Sequence, residues 1–158
     1  MSDSEKGRAR AVADLGEGLV LATVEVNAPA ERAFRALTSA EVTHWWVRSG
    51  VFDTRKWNGD LRAGGRWSAS GVVMGKPYSL EGEFTVVEAP RKLAHTWKSV
   101  GSPETSTTVS YRLDEVGDGT RITLHHTGFS MPEVCMNTAI GWETSFDRLA
   151  QLLGSEPK

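Results

Sequence analysis

The chain predicts an α+β fold: a curved antiparallel sheet of six strands wrapped around a long C-terminal helix, with two short helices between the first and second strands. Three observations carry this reading. At 100° per residue, the stretch Met131 to Leu153 gathers Val134, Cys135, Thr138, Ala139, Trp142, Ser145, Phe146, Leu149, Leu152 and Leu153 on one side, and Glu143, Asp147, Arg148 and Gln151 on the other. Between Asp60 and Thr127 the period changes to simple alternation, broken by turn residues at short intervals. Connections that short make sequential strands antiparallel, so the helix must lie across one face of a single bent sheet. This is a helix-grip architecture.

Each element has its own justification. Met1 to Gly18 is polar and charged and reads as a flexible N-terminal tail, with the single domain spanning residues 19–154 and a short tail at 155–158. Leu19 to Val26 is the first strand, with Val20, Ala22, Val24 and Val26 facing inward. Ala28-Pro29 opens a helix, since proline suits the first helical position and Glu31 can reach back to the cap. Thr38-Ser39-Ala40-Glu41 reads as a capping box for a second short helix carrying Val42, His44, Trp45 and Trp46. Val47 to Asn58 reads as a loop.

Five strands follow: Asp60 to Ser70, Tyr78 to Glu88, Lys92 to Val100, Thr107 to Glu115 and Thr120 to Thr127. Gly64-Gly65 suggests a bulge or bend in the first of them, and Ala89-Pro90 and Gly117-Asp118-Gly119 mark hairpin turns. Ser130-Met131-Pro132-Glu133 then reads as a capping box for the long helix, which Gly154 ends.

Bulk properties exclude several functions. A chain of 158 residues with net charge -2 and no basic run offers no broad attraction to nucleic acid or anionic lipid. One cysteine, Cys135, cannot form an internal disulfide, which suits a reducing, cytoplasmic setting. No apolar run approaches the length of a membrane span. His125 and His126 are strand neighbours and point to opposite faces, so they cannot share a metal, and no cofactor motif surrounds Gly64-Gly65.

The long helix is uneven. Its buried side is bulky toward the C-terminus (Trp142, Phe146, Leu149, Leu153) and small at its start (Cys135, Thr138, Ala139). Laid across a sheet, it closes one end and leaves room at the other, and that room is the expected ligand site. An aromatic lining with a few polar tips suits an apolar or ring-bearing molecule. The candidate lining is Trp46, Phe52, Trp67, Phe84, Trp97, Tyr111, Cys135, Thr138, Ala139 and Trp142, with Trp46, Trp67 and Trp97 preferred. For any one of them, plain core packing is the competing reading. His95 and His126 share strand parity with apolar neighbours and could serve as acid or base in an enzyme, together with Tyr111, although no carboxylate is placed to orient them. Met136 and Ile140 sit one turn apart on the polar side of the helix, as a homodimer or chaperone contact would require.

Particular residues resemble a known family. Asn27-Ala28-Pro29 before Phe34-Arg35-Ala36-Leu37-Thr38, the Trp45-Trp46 pair, Asp60 to Trp67 and Gly82-Glu83-Phe84 are similar to the activator of heat-shock chaperone ATPase-like family. So are Ala89-Pro90…Leu93…Thr96-Trp97, Gly119 to Leu124, Thr127-Gly128-Phe129 and Gly141-Trp142. The resemblance runs from about Leu19 to Leu153. It implies the START-like and birch-pollen-allergen-like fold, with a cavity between sheet and last helix that takes apolar small molecules. The same superfamily contains cyclases and dehydratases, so the resemblance does not choose between binder and enzyme.

Overall fold

A computed structural model describes residues 9–48, 50–100 and 106–154. Its sheet contains nine strands in the order β1-β2-β9-β8-β7-β6-β5-β4-β3, every neighbouring pair antiparallel. The strands are β1 (Arg10–Asp14), β2 (Leu19–Val26), β3 (Val47–Arg48), β4 (Phe52–Gly59), β5 (Arg66–Val73), β6 (Lys76–Glu88), β7 (Lys92–Ser99), β8 (Thr107–Val116) and β9 (Gly119–Thr127). Between β2 and β3 lie α1 (Ala30–Leu37) and α2 (Val42–Trp45), and α3 (Pro132–Gly154) follows β9. The α+β helix-grip class holds. The strand β9 returns beside β2, so the two ends of the domain are stitched together and α3 lies over the concave face.

Alternation explains that face. Val20, Ala22 and Val24 of β2, Val109, Tyr111 and Leu113 of β8, and Ile122, Leu124 and His126 of β9 are all buried, while His125 is exposed. From α3, Cys135, Ala139, Trp142, Phe146, Leu149 and Leu153 are buried against them.

The three strands beyond the expected six come from segments read as tail and loop. Residues 10–14 form β1, paired with β2 through Val12↔Leu21. The apolar signal there is only two alanines and a valine, too weak to show in the sequence. The strand is held instead by α3: the Ala9 and Ala11 amides donate to Asp147 Oδ1 (2.8 Å) and Glu143 Oε2 (3.0 Å). Those carboxylates, assigned to a solvent face, occupy the free edge of the sheet and block it to other strands. The segment read as the loop 47–58 contains β3 and β4, whose alternation is concealed by a bulge between Thr54 and Lys56. Residues 15–18 of the expected N-terminal tail form the turn between β1 and β2, while residues 1–8 and the tail at 155–158 lie outside the described residues.

Helix starts also differ. Pro29 is the cap residue of α1 rather than its first helical one, with extended backbone and no side-chain cap bond. In the second box, Ser39 Oγ accepts from the Glu41 amide at 3.3 Å, but the Glu41 carboxylate is taken by Arg32 at 2.6 Å. Proline does open α3, at Pro132, where a missing N–H costs nothing. The Gly64-Gly65 pair lies in the turn ahead of β5, closed by Gly65 N–H to Arg62 O (2.8 Å), and is not a bulge within a strand.

Candidate functional site

The centre of the molecule is a connected set of aromatic rings. The end of α2 contributes Trp45 and Trp46, β5 contributes Trp67, β7 contributes His95 and Trp97, β8 Tyr111, β9 His126, and α3 Trp142 and Phe146. Trp46 meets the other four tryptophans of the cluster: its ring centroid lies 5.0 Å from Trp97, 5.9 Å from Trp67, 6.1 Å from Trp142 and 5.8 Å from Trp45. Three of these contacts, those to Trp45, Trp67 and Trp142, are edge-to-face, the arrangement that ring quadrupoles favour.

A single glycine makes the packing possible. Gly82 lies between Trp67 and Trp97 in the sheet, and a Cβ there would stand 2.3 Å from Trp67 Nε1 and 2.0 Å from the Thr96 carbonyl. With no side chain at that position, the Trp67 indole crosses β6 and donates to Thr96 O at 3.0 Å.

The indole donors divide into two groups. Trp45 donates to Ala36 O (2.9 Å), Trp67 to Thr96 O and Trp142 to His126 Nδ1 (3.0 Å). Trp46 Nε1 is buried and meets no acceptor among the described residues.

The histidines are both inside. Because Trp142 donates to His126 Nδ1, the neutral ring carries its proton on Nε2 and donates it to Thr107 Oγ1 at 2.6 Å, and that hydroxyl donates on to Trp97 O at 3.3 Å. His95 Nδ1 donates to Thr96 O at 3.0 Å. Burial drives the pKa of His95 down to about 4, against a small opposing effect of that hydrogen bond. Burial, then the proximity of His95, takes His126 to about 3. Both imidazoles are therefore neutral across the physiological range. Burial likewise raises the Tyr111 phenol far above its ordinary value. Burial first, and Asp14 second, push the Cys135 thiol up; it donates to Leu19 O at 3.6 Å.

A recess of about 160 Å³ opens beside this cluster, over the first two turns of α3. Val134 and Thr138 form its helix wall, Trp97 and Thr107 its sheet wall, and Phe129 and Ser130 close it from the β9–α3 connection. His126 lies at its base, and Lys98 and Ser99 stand at the rim. Phe129 is held by ring contact with His126 (4.6 Å) and by its amide donating to Gly18 O at 3.2 Å. Gly18 has φ +65°, and a Cβ there would strike the Phe129 carbonyl at 2.1 Å. A larger cleft of about 410 Å³ lies elsewhere, between the β3–β4 and β5–β6 connections. Its rim carries Arg48 and the Arg55–Asp53 ion pair (3.2 Å), and it includes none of the histidines or the clustered tryptophans.

The ten candidate residues fall into separate places. Trp97 and Thr138 line the recess. Phe52 lines the larger cleft, its ring reaching over Gly141 of α3. Trp46, Trp67, Phe84, Tyr111 and Trp142 are packed in the buried core, and Cys135 and Ala139 are buried under α3. Phe129, Thr107 and Val134 were not candidates. Val134 precedes Thr138 by one helical turn on the same face, which is the signal that could have found it. Among the described residues no group of three or more His, Cys, Asp or Glu could hold a metal ion, and no helix is long and apolar enough to cross a membrane.

A bent antiparallel sheet closed by a C-terminal helix, with a recess at the helix start, defines the helix-grip class of proteins. Within that class, residues 27–154 match the model of the family described as activator of Hsp90 ATPase homolog 1-like protein, and the chain belongs to that family. Solved structures share the fold. Protein Ms6760 from Mycobacterium smegmatis is similar with TM-score 0.78 and 20% identity, covering 94% of this chain and 98% of that one. A protein from Arthrobacter aurescens is similar with TM-score 0.78 and 18% identity, covering 93% and 91%. CalU16 from Micromonospora echinospora gives TM-score 0.63 at 25% identity, covering 93% and 84%. Comparison with curated protein sequences finds no match.

Proposed function

We propose that this protein binds a small, ring-sized apolar molecule in the recess over the start of α3. The observation that carries the reading is a space of about 160 Å³ walled by Trp97, Phe129 and Val134, with hydroxyls of Thr107, Thr138 and Ser130 at intervals around it. An apolar cavity of roughly 150 Å³ is enough for one benzene ring. Burying roughly 200 Å² of such a ligand at about 25 cal/mol per Å² contributes about 5 kcal/mol, a sub-millimolar dissociation constant before ordering costs. The histidines favour binding over acid–base chemistry, since both nitrogens of His126 are held in hydrogen bonds and no carboxylate among the described residues contacts either ring.

Native mass spectrometry of protein purified from its own host, with organic extraction of anything retained, tests the proposal. One defined small molecule per chain is the expected result. Trp97→Ala should then abolish retention while leaving a folded protein, because Trp97 is only half-buried at the recess wall. Retention unchanged in Trp97→Ala would place the ligand elsewhere.

A second reading rests on exposed apolar side chains. Met131 (48% exposed), Met136 (45%) and Ile140 (41%) lie at and along the start of α3, where a protein partner of the chaperone type could dock. Capture of one stoichiometric partner that survives Trp97→Ala but not Ile140→Glu would favour it.

A further inference from the structure

We infer that the molecule bound in the recess is a neutral aromatic compound bearing an N–H or O–H donor, and that the hydroxyl oxygen of Thr107 is the acceptor that selects it. This rests on the binding proposal above and specifies its ligand class. The hydrogen bonds along the recess wall run in one direction. An indole N–H can only donate, so Trp142 fixes His126 Nδ1 as an acceptor, at 3.0 Å. The ring proton of His126 is therefore on Nε2 and is donated to Thr107 Oγ1 at 2.6 Å. The Thr107 proton goes in turn to Trp97 O at 3.3 Å. His126, Thr107 and Trp97 all line the recess, so the last links of this chain lie in its wall.

That direction leaves lone pairs, not protons, on the imidazole and hydroxyl groups of the wall. Thr138, the half-buried hydroxyl on α3, has its own proton committed to Val134 O at 2.7 Å, one helical turn back. A hydroxyl oxygen has two lone pairs, and Thr107 Oγ1 uses one for His126 and keeps the other. Donation to Trp97 O polarises that oxygen and strengthens it as an acceptor. Thr107 is half-buried in the sheet wall, so a ligand N–H or O–H meets this lone pair without any existing bond being broken. The hydroxyls of Ser99 and Ser130 and the ammonium of Lys98 belong to exposed residues at the rim, where water already serves them. The donor is neutral, because no carboxylate among the described residues lines the recess to offset a desolvated cation.

Pyrrole and furan are a matched pair for the test: the rings are equal in size, and one carries N–H where the other carries only an oxygen acceptor. Affinities are read from chemical-shift titrations of ¹⁵N-labelled protein. Pyrrole should bind about tenfold more tightly in the wild type. The preference should vanish in Thr107→Val, which should bind furan as the wild type does, and should persist in Thr107→Ser, which keeps the hydroxyl. Thr107→Val also deprives His126 Nε2 of its partner and lowers stability, so the ratio of the two affinities is the deciding quantity; a merely structural Thr107 would weaken both probes alike. Should Thr107→Val fail to fold, the wild type decides: bound pyrrole must show a nuclear Overhauser contact between its N–H and the Thr107 side chain, and absence of that contact overturns the inference. Equal affinities in the wild type, or a preference that persists in Thr107→Val, overturn the assignment of the acceptor while leaving the recess as a binding site. Furan binding more tightly than pyrrole overturns it in favour of a donor in the wall. Failure of pyrrole, furan and benzene all to bind overturns the recess reading and this inference together.

Discussion

The two halves of α3 meet the same sheet with opposite results. Over its C-terminal half, Trp142, Phe146, Leu149 and Leu153 are at most 4% exposed, and Phe146 packs against both Trp142 (5.7 Å) and Trp45 (6.1 Å). Over its first two turns, Val134 and Thr138 are half-buried and look into open space. The difference follows from side-chain volume on one helical face. Where the helix brings large residues the interface closes; at its start Cys135 and Ala139 are still buried, and the open space lies beside them, where Val134 and Thr138 face Trp97 and Phe129. Close packing is concentrated at one end, and open space at the other.

The comparison can be broken most severely at the closed end. Phe146→Ala should cost about 3–5 kcal/mol, since the ring is fully buried and its neighbours are too large to collapse into the gap. Urea denaturation measures it. A loss below 1 kcal/mol would mean that the closed end is not where stability resides.

Acid should act next. The unfolded chain takes up protons at His95 and His126 near the ordinary value of 6.5, whereas the folded chain resists until about 4 and about 3. Below pH 6.5 the unfolded state therefore binds more protons, and stability falls as pH falls toward those folded values. Between pH 7 and pH 5 the loss should be about 2 kcal/mol for each histidine. His126→Gln should remove about half of the slope, read from denaturation midpoints across that range. A pH-independent midpoint would show that the histidines are not enclosed as the ring cluster requires.

Gly82→Ala tests the middle of the interface. The new methyl group would meet the Thr96 carbonyl and Trp67 Nε1, forcing the indole off its acceptor. A cost of about 1–3 kcal/mol is expected from overpacking, with a change in tryptophan emission. An unaltered emission spectrum would show that Trp67 does not depend on the gap at Gly82.

Much of this was legible in the residues, and the rest was hidden for definite reasons. The uneven face of α3 is a matter of spacing and size, but of the three small residues at its start only Thr138 borders the recess, Cys135 and Ala139 being packed in the core. Strand alternation placed Val20, Tyr111, Leu124 and His126 on the inner face correctly. The strands β1, β3 and β4 were missed: β1 because Ala11 and Ala13 carry little hydrophobic signal, β3 because it is two residues long, and β4 because a bulge interrupts its parity. Which tryptophans line open space was not readable. All share the same face, and only cross-strand register decides that Trp67 reaches over Gly82 while Trp97 borders the recess. Phe129 escaped for a related reason: it lies in a connection, where no periodicity speaks.

The smallest effect on stability should carry the sharpest functional information. Val134→Phe adds a ring at a half-buried position that borders open space, so it need not displace packed neighbours as a residue at Ala139 or Phe146 would. The change in folding free energy should stay within about 1 kcal/mol, because the new apolar surface is buried in the recess and no close-packed contact is strained. Ligand retention should nevertheless be lost, since the added ring takes the volume that the ligand needs. That pairing, stability kept and binding removed, would identify the recess at the start of α3 as the ligand site. A large destabilisation would mean instead that the first turns of α3 are already as tightly fitted as the last.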